Sequence, residues 1–164
     1  MTVKNILVPT DFSPGSQEAV HYAYDLAVAL GATLHVVHVL ENPFAPGAFM
    51  EMYTPPSPEY FLDMERQAED RLKSALTPEQ QARVKAVLTT RLGVPATEIL
   101  DRLQAEPTID LVVMATHGRG GVARFVMGSV TDKIIRSAPC PVVTIREHPH
   151  TSDKQKAASA ETTA

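Results

Sequence analysis

The sequence of 164 residues has little of several features, and each shortage excludes a class of protein. Its only cysteine, Cys140, can form neither an internal disulfide nor a cysteine-based metal site. Its 15 Lys and Arg residues are outnumbered by 19 Asp and Glu residues, and the net charge of −4 disfavours sequence-independent binding to nucleic acid. No run reaches the roughly 18 to 20 consecutive apolar residues of a membrane span, and the N-terminus lacks a signal-peptide cleavage site. We therefore expect a cytoplasmic protein with no membrane or nucleic-acid partner.

The sequence does contain an alternation of short apolar runs and helical patterns. Serine followed by proline marks two helix starts, at Ser13-Pro14 and Ser57-Pro58, whereas Thr77-Pro78 predicts a turn. Gly31 occupies the position of a left-handed helix cap. Five apolar runs predict buried strands: residues 3–9, 33–39, 84–91, 110–116 and 142–145.

This alternation predicts an α/β fold. Residues 1–146 should form one domain, a doubly wound parallel sheet of five strands with helices on both faces. The proline-rich segment 41–57 is predicted to be a long loop, and the polar segment 147–164 a disordered tail. Ligands of such sheets bind beyond the carboxyl ends of the strands, where the strand order reverses.

A glycine-rich segment lies at such a place. Four of the eight glycines fall between Gly118 and Gly128, after the fourth predicted strand and before a helix. The first N–H groups of that helix, from Gly128, Ser129 and Val130, favour an anion, and Ser129 and Thr131 add hydroxyls. The segment has one acid, Asp132, and five basic residues: His117, Arg119, Arg124, Lys133 and Arg136. A phosphate ligand is the simplest interpretation, and a flexible turn with an ordinary serine cap is the alternative.

Neither common phosphate fingerprint is present. The first strand is followed by Pro9-Thr10-Asp11-Phe12-Ser13 rather than by the glycine turn of dinucleotide-binding folds. No Gly-x4-Gly-Lys-Ser/Thr sequence occurs, so a P-loop is excluded as well.

Two separated motifs instead resemble those of the universal stress proteins, over about residues 1–146. The first is Val8-Pro9-Thr10-Asp11-Phe12-Ser13. The second is Met114-Ala115-Thr116-His117-Gly118, then nine residues, then Gly128-Ser129-Val130-Thr131. His38-Val39 also looks like the family's pattern. The nucleotide-binding branch carries Gly-x2-Gly-x9-Gly-Ser/Thr, in which Ala115 here replaces the first glycine.

The resemblance implies strand order 3-2-1-4-5 and a bound adenine nucleotide, ATP or else ADP or AMP, in a stress-response switch or sensor. Asp11 would bind the adenine or ribose side, and Val39 would meet the adenine through its backbone. The cleft would be shaped by Pro9, Thr10, Met114 and Ala115. The phosphates would meet His117, Gly118, Arg119, Gly128, Ser129, Val130 and Thr131. Mg²⁺ or Mn²⁺ would bind through the phosphates rather than in a protein cage.

Ala115 is the departure from the family pattern. If its backbone needs a positive φ, the Cβ costs on the order of 1 kcal/mol. If it lies at the extended end of a strand, alanine is harmless. We expect the second, because residues 112–116 are continuous with a strand pattern.

Other functions find less support in the residues. A receiver-type phospho-acceptor role for Asp11 lacks the accompanying acidic cluster and late lysine. His35 and His38 lie three apart on a predicted strand and should point to opposite faces, so a shared metal is not expected. No water-positioning carboxylate or glutamine lies in the motif, so we expect no dedicated enzyme. A slow ATPase and a nucleotide-independent dimeric scaffold stay open.

The last predicted strand, 142–145, is short and apolar. It is an edge strand in the strand order that the resemblance implies. An apolar edge invites pairing, and two-fold dimers are the commonest oligomers. We expect a homodimer in which this strand pairs antiparallel with its mate.

Overall fold

The structure is a computed structural model of the chain and describes residues 2–41, 57–116 and 127–146. Three of the predicted features therefore lie wholly or mostly outside the described residues. They are the proline-rich loop, the glycine-rich loop from residue 117 and the tail 147–164.

The described residues form one parallel sheet with its helices. The strands are β1 (Asn5–Pro9), β2 (Thr33–Leu40), β3 (Ala86–Leu92), β4 (Leu111–Ala115) and β5 (Val142–Ile145). The helices are α1 (Pro14–Leu30), α2 (Pro58–Lys73), α3 (Pro78–Arg83), α4 (Pro95–Ala105) and α5 (Ser129–Ser137). The sheet order is β3-β2-β1-β4-β5, and each neighbouring pair is parallel. The predicted fold class and strand order are confirmed.

Helix α1 begins and ends where the sequence predicts. Ser13 caps it by accepting a hydrogen bond from the Ser16 N–H over 3.3 Å, and Pro14 occupies the first turn. Gly31 ends it in the left-handed conformation, with φ of 64°. A side chain at this φ would be strained, so glycine suits the position.

Helix α3 corrects the prediction of a simple turn at Thr77-Pro78. The Gln80 N–H donates to Thr77 Oγ1 over 3.3 Å, and the Thr77 N–H donates to Gln80 Oε1 over 2.8 Å. This reciprocal pair is a capping box, which satisfies two donors at a helix start. The turn prediction was wrong because Thr77 and Gln80 have the spacing of a helix start.

Two apolar layers cover the sheet. On one face, which we call the first layer, Ile6 and Val8 pack with residues of α1 and α2. On the other face, the second layer, Leu7 and Val112 pack with residues of α4 and α5. Burying one such side chain completely stabilises the fold by about 1.5–3 kcal/mol. The helices therefore lie on both faces, as the near-continuous apolar strands predict.

Candidate functional site

The strand order reverses between β1 and β4, and their pairing stops early there. β1 pairs with β2 up to Pro9–Val37, but its last pair with β4 is Leu7–Val112. Pro9 has no N–H and cannot continue the ladder toward β4. We call the place between the strand ends, Pro9 and Ala115, the switch point. It is where parallel sheets of this kind bind ligands.

Strand β2 extends past the end of β1 and brings a backbone group to the switch point. The Thr33 N–H donates to the Lys4 carbonyl, and the Val37 carbonyl accepts from the Thr10 N–H, each over 2.8 Å. Odd-numbered residues of β2 therefore direct their peptide groups toward β1. Val39 is the next odd residue, and β1 ends before reaching it. Its peptide groups thus point toward the switch point.

The turn between β1 and α1 is held by its own side chains. Thr10 is buried, and its Oγ1 lies 3.1 Å from Ser16 Oγ and accepts from the Phe12 N–H over 3.1 Å. Asp11 Oδ1 accepts from the N–H and the hydroxyl of Ser13, over 3.0 and 2.6 Å. Thr10 therefore shapes the turn, and the Asp11 carboxylate is oriented by Ser13 at the start of α1.

Phe12 is the residue of this turn that sequence analysis missed. Its φ of 64° is the only positive φ of a non-glycine residue in the part of the chain that the structure describes. Its ring centroid lies 4.2 Å from that of His38 and 4.2 Å from the Arg71 guanidinium carbon. A phenylalanine between Asp11 and Ser13 gives no sequence signal of this conformation, because left-handed backbone normally favours glycine or asparagine.

The end of β4 has the conformation that the sequence predicts. Ala115 pairs with Ile145 of β5 and has no positive φ, so alanine in place of the family's glycine costs no backbone strain. Its methyl group packs in the first layer, whereas Met114 and Val39 pack in the second. The candidate residues of β4 are thus divided between the two faces of the sheet.

The start of α5 offers fewer free groups than the sequence suggested. The Gly128 N–H donates to the Thr116 carbonyl over 2.9 Å, and the buried Thr131 hydroxyl donates to the Ala115 carbonyl over 2.9 Å. The first hydrogen bond within the helix runs from the Asp132 N–H to the Gly128 carbonyl. Among the described residues, no acceptor bonds the N–H groups of Ser129 and Val130. These two N–H groups lie at the N-terminus of α5, which is the positive end of the helix dipole.

The basic residues near α5 are partly neutralised. Arg136 Nε donates to both carboxylate oxygens of Asp132, over 3.1 and 3.0 Å. This hydrogen bond lowers the pKa of Asp132. Arg136 also lies in the last turn of the helix, away from its start. Lys133 is exposed. The predicted contacts His117, Gly118 and Arg119, together with Arg124, lie outside the described residues.

The other side chains that the sequence analysis considered, His35, His38 and Cys140, make packing contacts or hydrogen bonds within the fold. His35 lies 3.1 Å from Asn5 Oδ1 and 3.3 Å from Arg102 Nη2, whereas His38 contacts Phe12 on the opposite face. Burial raises the pKa of the Cys140 thiol, which packs against the second layer. Within residues 2–41, 57–116 and 127–146, no three metal-binding side chains cluster. Over the same ranges, no helix has the length and apolarity to cross a membrane.

Comparison with known proteins gives one consistent family. The model of the universal stress protein family matches residues 2–146. A putative universal stress protein of Staphylococcus haemolyticus is 32% identical over 151 residues, which cover 89% of this chain and 86% of that protein.

Solved structures agree with this match. The universal stress protein UspA of Lactobacillus plantarum has a TM-score of 0.67 at 25% identity, over 89% of this chain and 99% of that one. A universal stress protein solved in complex with cAMP has a TM-score of 0.55 at 25% identity, over 88% of this chain and 98% of that one. From the family match, its extent and the shared fold, we conclude that this chain belongs to the universal stress protein family.

Proposed function

We propose that the protein binds an adenine nucleotide at the switch point, with ATP, ADP and AMP as candidates, and acts as a nucleotide-dependent switch or sensor in a stress response. The observation that carries the proposal is the pair of N–H donors of Ser129 and Val130 at the start of α5, beside the ends of β1 and β4, which do not pair with each other. A helix start of this kind favours phosphate. The cAMP complex of a 25% identical family member supports an adenine nucleotide.

We divide the candidate residues by their proposed role. The N–H groups of Ser129 and Val130 would hold phosphate, and Gly128 and Thr131 would fix the helix start through Thr116 and Ala115. The Asp11 carboxylate and the Val39 peptide would meet the nucleoside. Pro9, Thr10, Met114 and Ala115 would form its walls. We also assign His117, Gly118 and Arg119 to the phosphate side, as the family motif implies.

A divalent cation would accompany ATP rather than occupy a protein cage. Mg²⁺ and Mn²⁺ bind phosphate oxygens and water, and the described residues bring no three metal-binding side chains together. An ATP affinity that rises with Mg²⁺ while AMP affinity stays unchanged would support this assignment. The Asp11 Oδ1 atom is already bonded to Ser13, so it is not assigned as a ligand of the cation.

The proposed activity is binding rather than catalysis. Among the described residues near the switch point, Asp11 is the only carboxylate of the β1–α1 turn, and Ser13 orients it toward the helix start. Hydrolysis also needs a group that positions water, and none is assigned here. A slow ATPase is the second candidate. Phosphate release by the wild type and by Asp11→Ala would test it.

The protein would act as a homodimer that pairs through β5. Val142–Ile145 is an edge strand, and each of its four residues is only half-buried. An edge of this kind exposes a row of unpaired peptide groups. A dimer that forms equally well with and without nucleotide would favour the alternative function of a nucleotide-independent scaffold.

Two measurements test the proposed function. Mass analysis of small molecules released on denaturing gently purified protein should identify an adenine nucleotide. Isothermal titration with AMP, ADP and ATP should give saturable heat. The absence of heat with all three up to millimolar concentration, in protein shown to be folded, would contradict the proposal.

A further inference from the structure

Two ring side chains link the segments assigned to the nucleoside. Phe12 directly follows Asp11, and His38 directly precedes Val39. Their ring centroids lie 4.2 Å apart with 37° between the planes. Phe12 packs against the first layer, whereas the Val39 side chain packs in the second. The ring pair therefore joins the two segments from the first-layer side of the sheet.

Hydrogen bonds extend this link. His38 Nδ1 lies 2.7 Å from the Thr10 carbonyl oxygen, and because a carbonyl only accepts, Nδ1 carries the proton and donates. The Phe12 N–H donates to Thr10 Oγ1 over 3.1 Å. His38 thus ties the turn that carries Asp11 to β2 in two ways: its ring packs against the Phe12 ring, and its Nδ1–H bonds the Thr10 carbonyl.

The conformation of Phe12 needs support from its surroundings. A φ of 64° is unfavourable for a bulky side chain and persists only where neighbouring contacts hold it. Phe12 is also the central residue of the turn in which Asp11 Oδ1 accepts from the Ser13 N–H. Release of Phe12 to ordinary backbone angles would therefore turn the Asp11 carboxylate away from its present direction.

Arg71 of α2 is the exposed part of this support. Its guanidinium carbon lies 4.2 Å from the Phe12 ring centroid, within the range of a cation–π contact. Beside the ring is a cavity of about 180 Å³, lined by residues of the turn, α1 and the end of α2, including Phe12, Gln17 and Arg71. Phe12 and Arg71 both line this cavity, so the guanidinium contacts the ring at the cavity's edge and restrains the ring there.

We propose that Arg71 is a positioning residue of the nucleotide site, which acts through Phe12 to hold Asp11 in its binding orientation. The inference rests on the proposed function, and it assigns a role to a residue that lies on α2, outside the switch point. Since Asp11 is assigned to the nucleoside, which AMP and ATP share, loss of Arg71 should lower the affinities for AMP and for ATP by the same factor.

The first test compares Arg71→Ala with Arg66→Ala. Arg66 lies on the same helix and is exposed, and its guanidinium is 3.9 Å from the Asp63 carboxylate, so its removal controls for the charge change. By isothermal titration, Arg71→Ala should bind AMP about five- to tenfold more weakly than the wild type, the effect of about one hydrogen bond. Arg66→Ala should bind within twofold of the wild type, and Arg71→Lys should recover part of the affinity.

A double-mutant cycle separates positioning from a general loss of structure. If Arg71 acts through Asp11, Arg71→Ala should change AMP affinity less than twofold in the Asp11→Asn background. Additive losses would overturn the inference. Thermal melts of each variant identify unfolding. Arg71→Gln, which keeps a polar side chain of similar reach but removes the charge, replaces Arg71→Ala in the cycle if Arg71→Ala does not fold.

The outcomes distinguish this inference from the proposed function. If the wild type binds AMP and Arg71→Ala binds it with the same affinity, only the role of Arg71 is overturned. A wild type that binds none of the three nucleotides overturns the proposed function and, with it, the positioning role. A five- to tenfold loss that disappears in Asp11→Asn establishes both.

Discussion

The hydroxyl of Thr131 donates a hydrogen bond to the carbonyl oxygen of Ala115 over 2.9 Å. The bond is buried and joins α5 to the last residue of β4 across a stretch of 16 positions in the sequence. A second bond, from the Gly128 N–H to the Thr116 carbonyl, lies beside it. Together they fix the start of α5 relative to the strand end, and so fix the direction of the Ser129 and Val130 N–H groups.

Thr131→Val tests this anchor with nearly unchanged volume. It removes the hydroxyl and leaves the buried Ala115 carbonyl without that donor, which should lower the free energy of unfolding by about 1–3 kcal/mol. Nucleotide affinity should fall as well, because the phosphate donors lose their support. Urea denaturation and titration with ATP measure the two effects.

The matched control is Thr131→Ser, which keeps the hydroxyl and should retain most of the stability. Ser129→Ala removes an exposed hydroxyl in the same turn and should change stability by less than about 0.5 kcal/mol. Thr131→Val with wild-type stability and affinity would show that the Ala115 bond supports neither.

The sheet and its strand positions could be predicted from the sequence because the patterns that indicate strands and helix starts are local and recur along the chain. Buried strands such as residues 110–116 are almost wholly apolar, and proline marks the first turn of α1 and α2. The place of the candidate site followed from the same alternation, since ligands of these sheets bind where the strand order reverses.

The details of the site depend on contacts between distant residues, which no local pattern encodes. The sequence places the Thr131 hydroxyl near a helix start, where it could bind a ligand, yet in the structure it donates a hydrogen bond to the Ala115 carbonyl. Phe12 has a positive φ, and its ring contacts His38 of β2 and Arg71 of α2, which lie far from it in the sequence. Arg102 has a polar side chain on an amphipathic helix but is only 4% exposed.

A part-buried network around His35 should make stability depend on pH. His35 Nδ1 accepts from Arg102 Nη2 over 3.3 Å, and His35 Nε2 donates to Asn5 Oδ1 over 3.1 Å, so this network requires the neutral ring. Burial, followed by Arg102 and Lys85, lowers the pKa of His35, and Glu106 opposes the shift. In the unfolded chain the imidazole takes up a proton below about pH 6.5.

The unfolded state therefore binds more protons than the folded state as pH falls through this range. The free energy of unfolding should decrease from pH 7 to 5.5, with a slope from His35 of at most about 1.4 kcal/mol per pH unit. Urea denaturation at several pH values measures it. His35→Gln should show a smaller slope than the wild type over that window, and parallel curves for the two proteins would contradict the assignment.

We expect the Arg102 side chain to lower the stability of the fold. Its Nε and Nη1 atoms are buried, and within the ranges that the structure describes no group accepts a hydrogen bond from them. Its contacts with His35 and Glu106 are 3.3 and 3.4 Å long. A buried charge that is incompletely hydrogen-bonded costs several kcal/mol. Arg102→Met keeps the apolar stem, and the carboxylate left behind belongs to Glu106, whose side chain is 40% exposed and can be hydrated.

We therefore expect Arg102→Met to unfold at the same or a higher urea concentration than the wild type. The exposed change Arg66→Met is the control and should alter stability by less than about 0.5 kcal/mol. A loss of more than about 2 kcal/mol in Arg102→Met would mean that the guanidinium contributes net stability, and the cost assigned to its unpartnered atoms would be wrong.

The proposed dimer can be tested at a single peptide group. The Val112 N–H donates to the Pro141 carbonyl and the Thr116 N–H to the Ile145 carbonyl, so odd-numbered residues of this segment face β4. Val142 and Thr144 therefore direct their peptide groups to the open edge. Thr144→Pro removes one outward donor and leaves the β4 ladder intact, because proline is tolerated at the outward positions of edge strands.

Sedimentation at tens of micromolar should show a dimer for the wild type and a monomer or a weaker dimer for Thr144→Pro. Thr144→Val keeps the N–H and should remain dimeric, which separates the backbone bond from the side chain. Both variants should unfold cooperatively, since neither removes a hydrogen bond to β4. A monomeric wild type, or a Thr144→Pro dimer of unchanged affinity, would rule out pairing through β5 because that pairing requires the outward peptide groups of the strand.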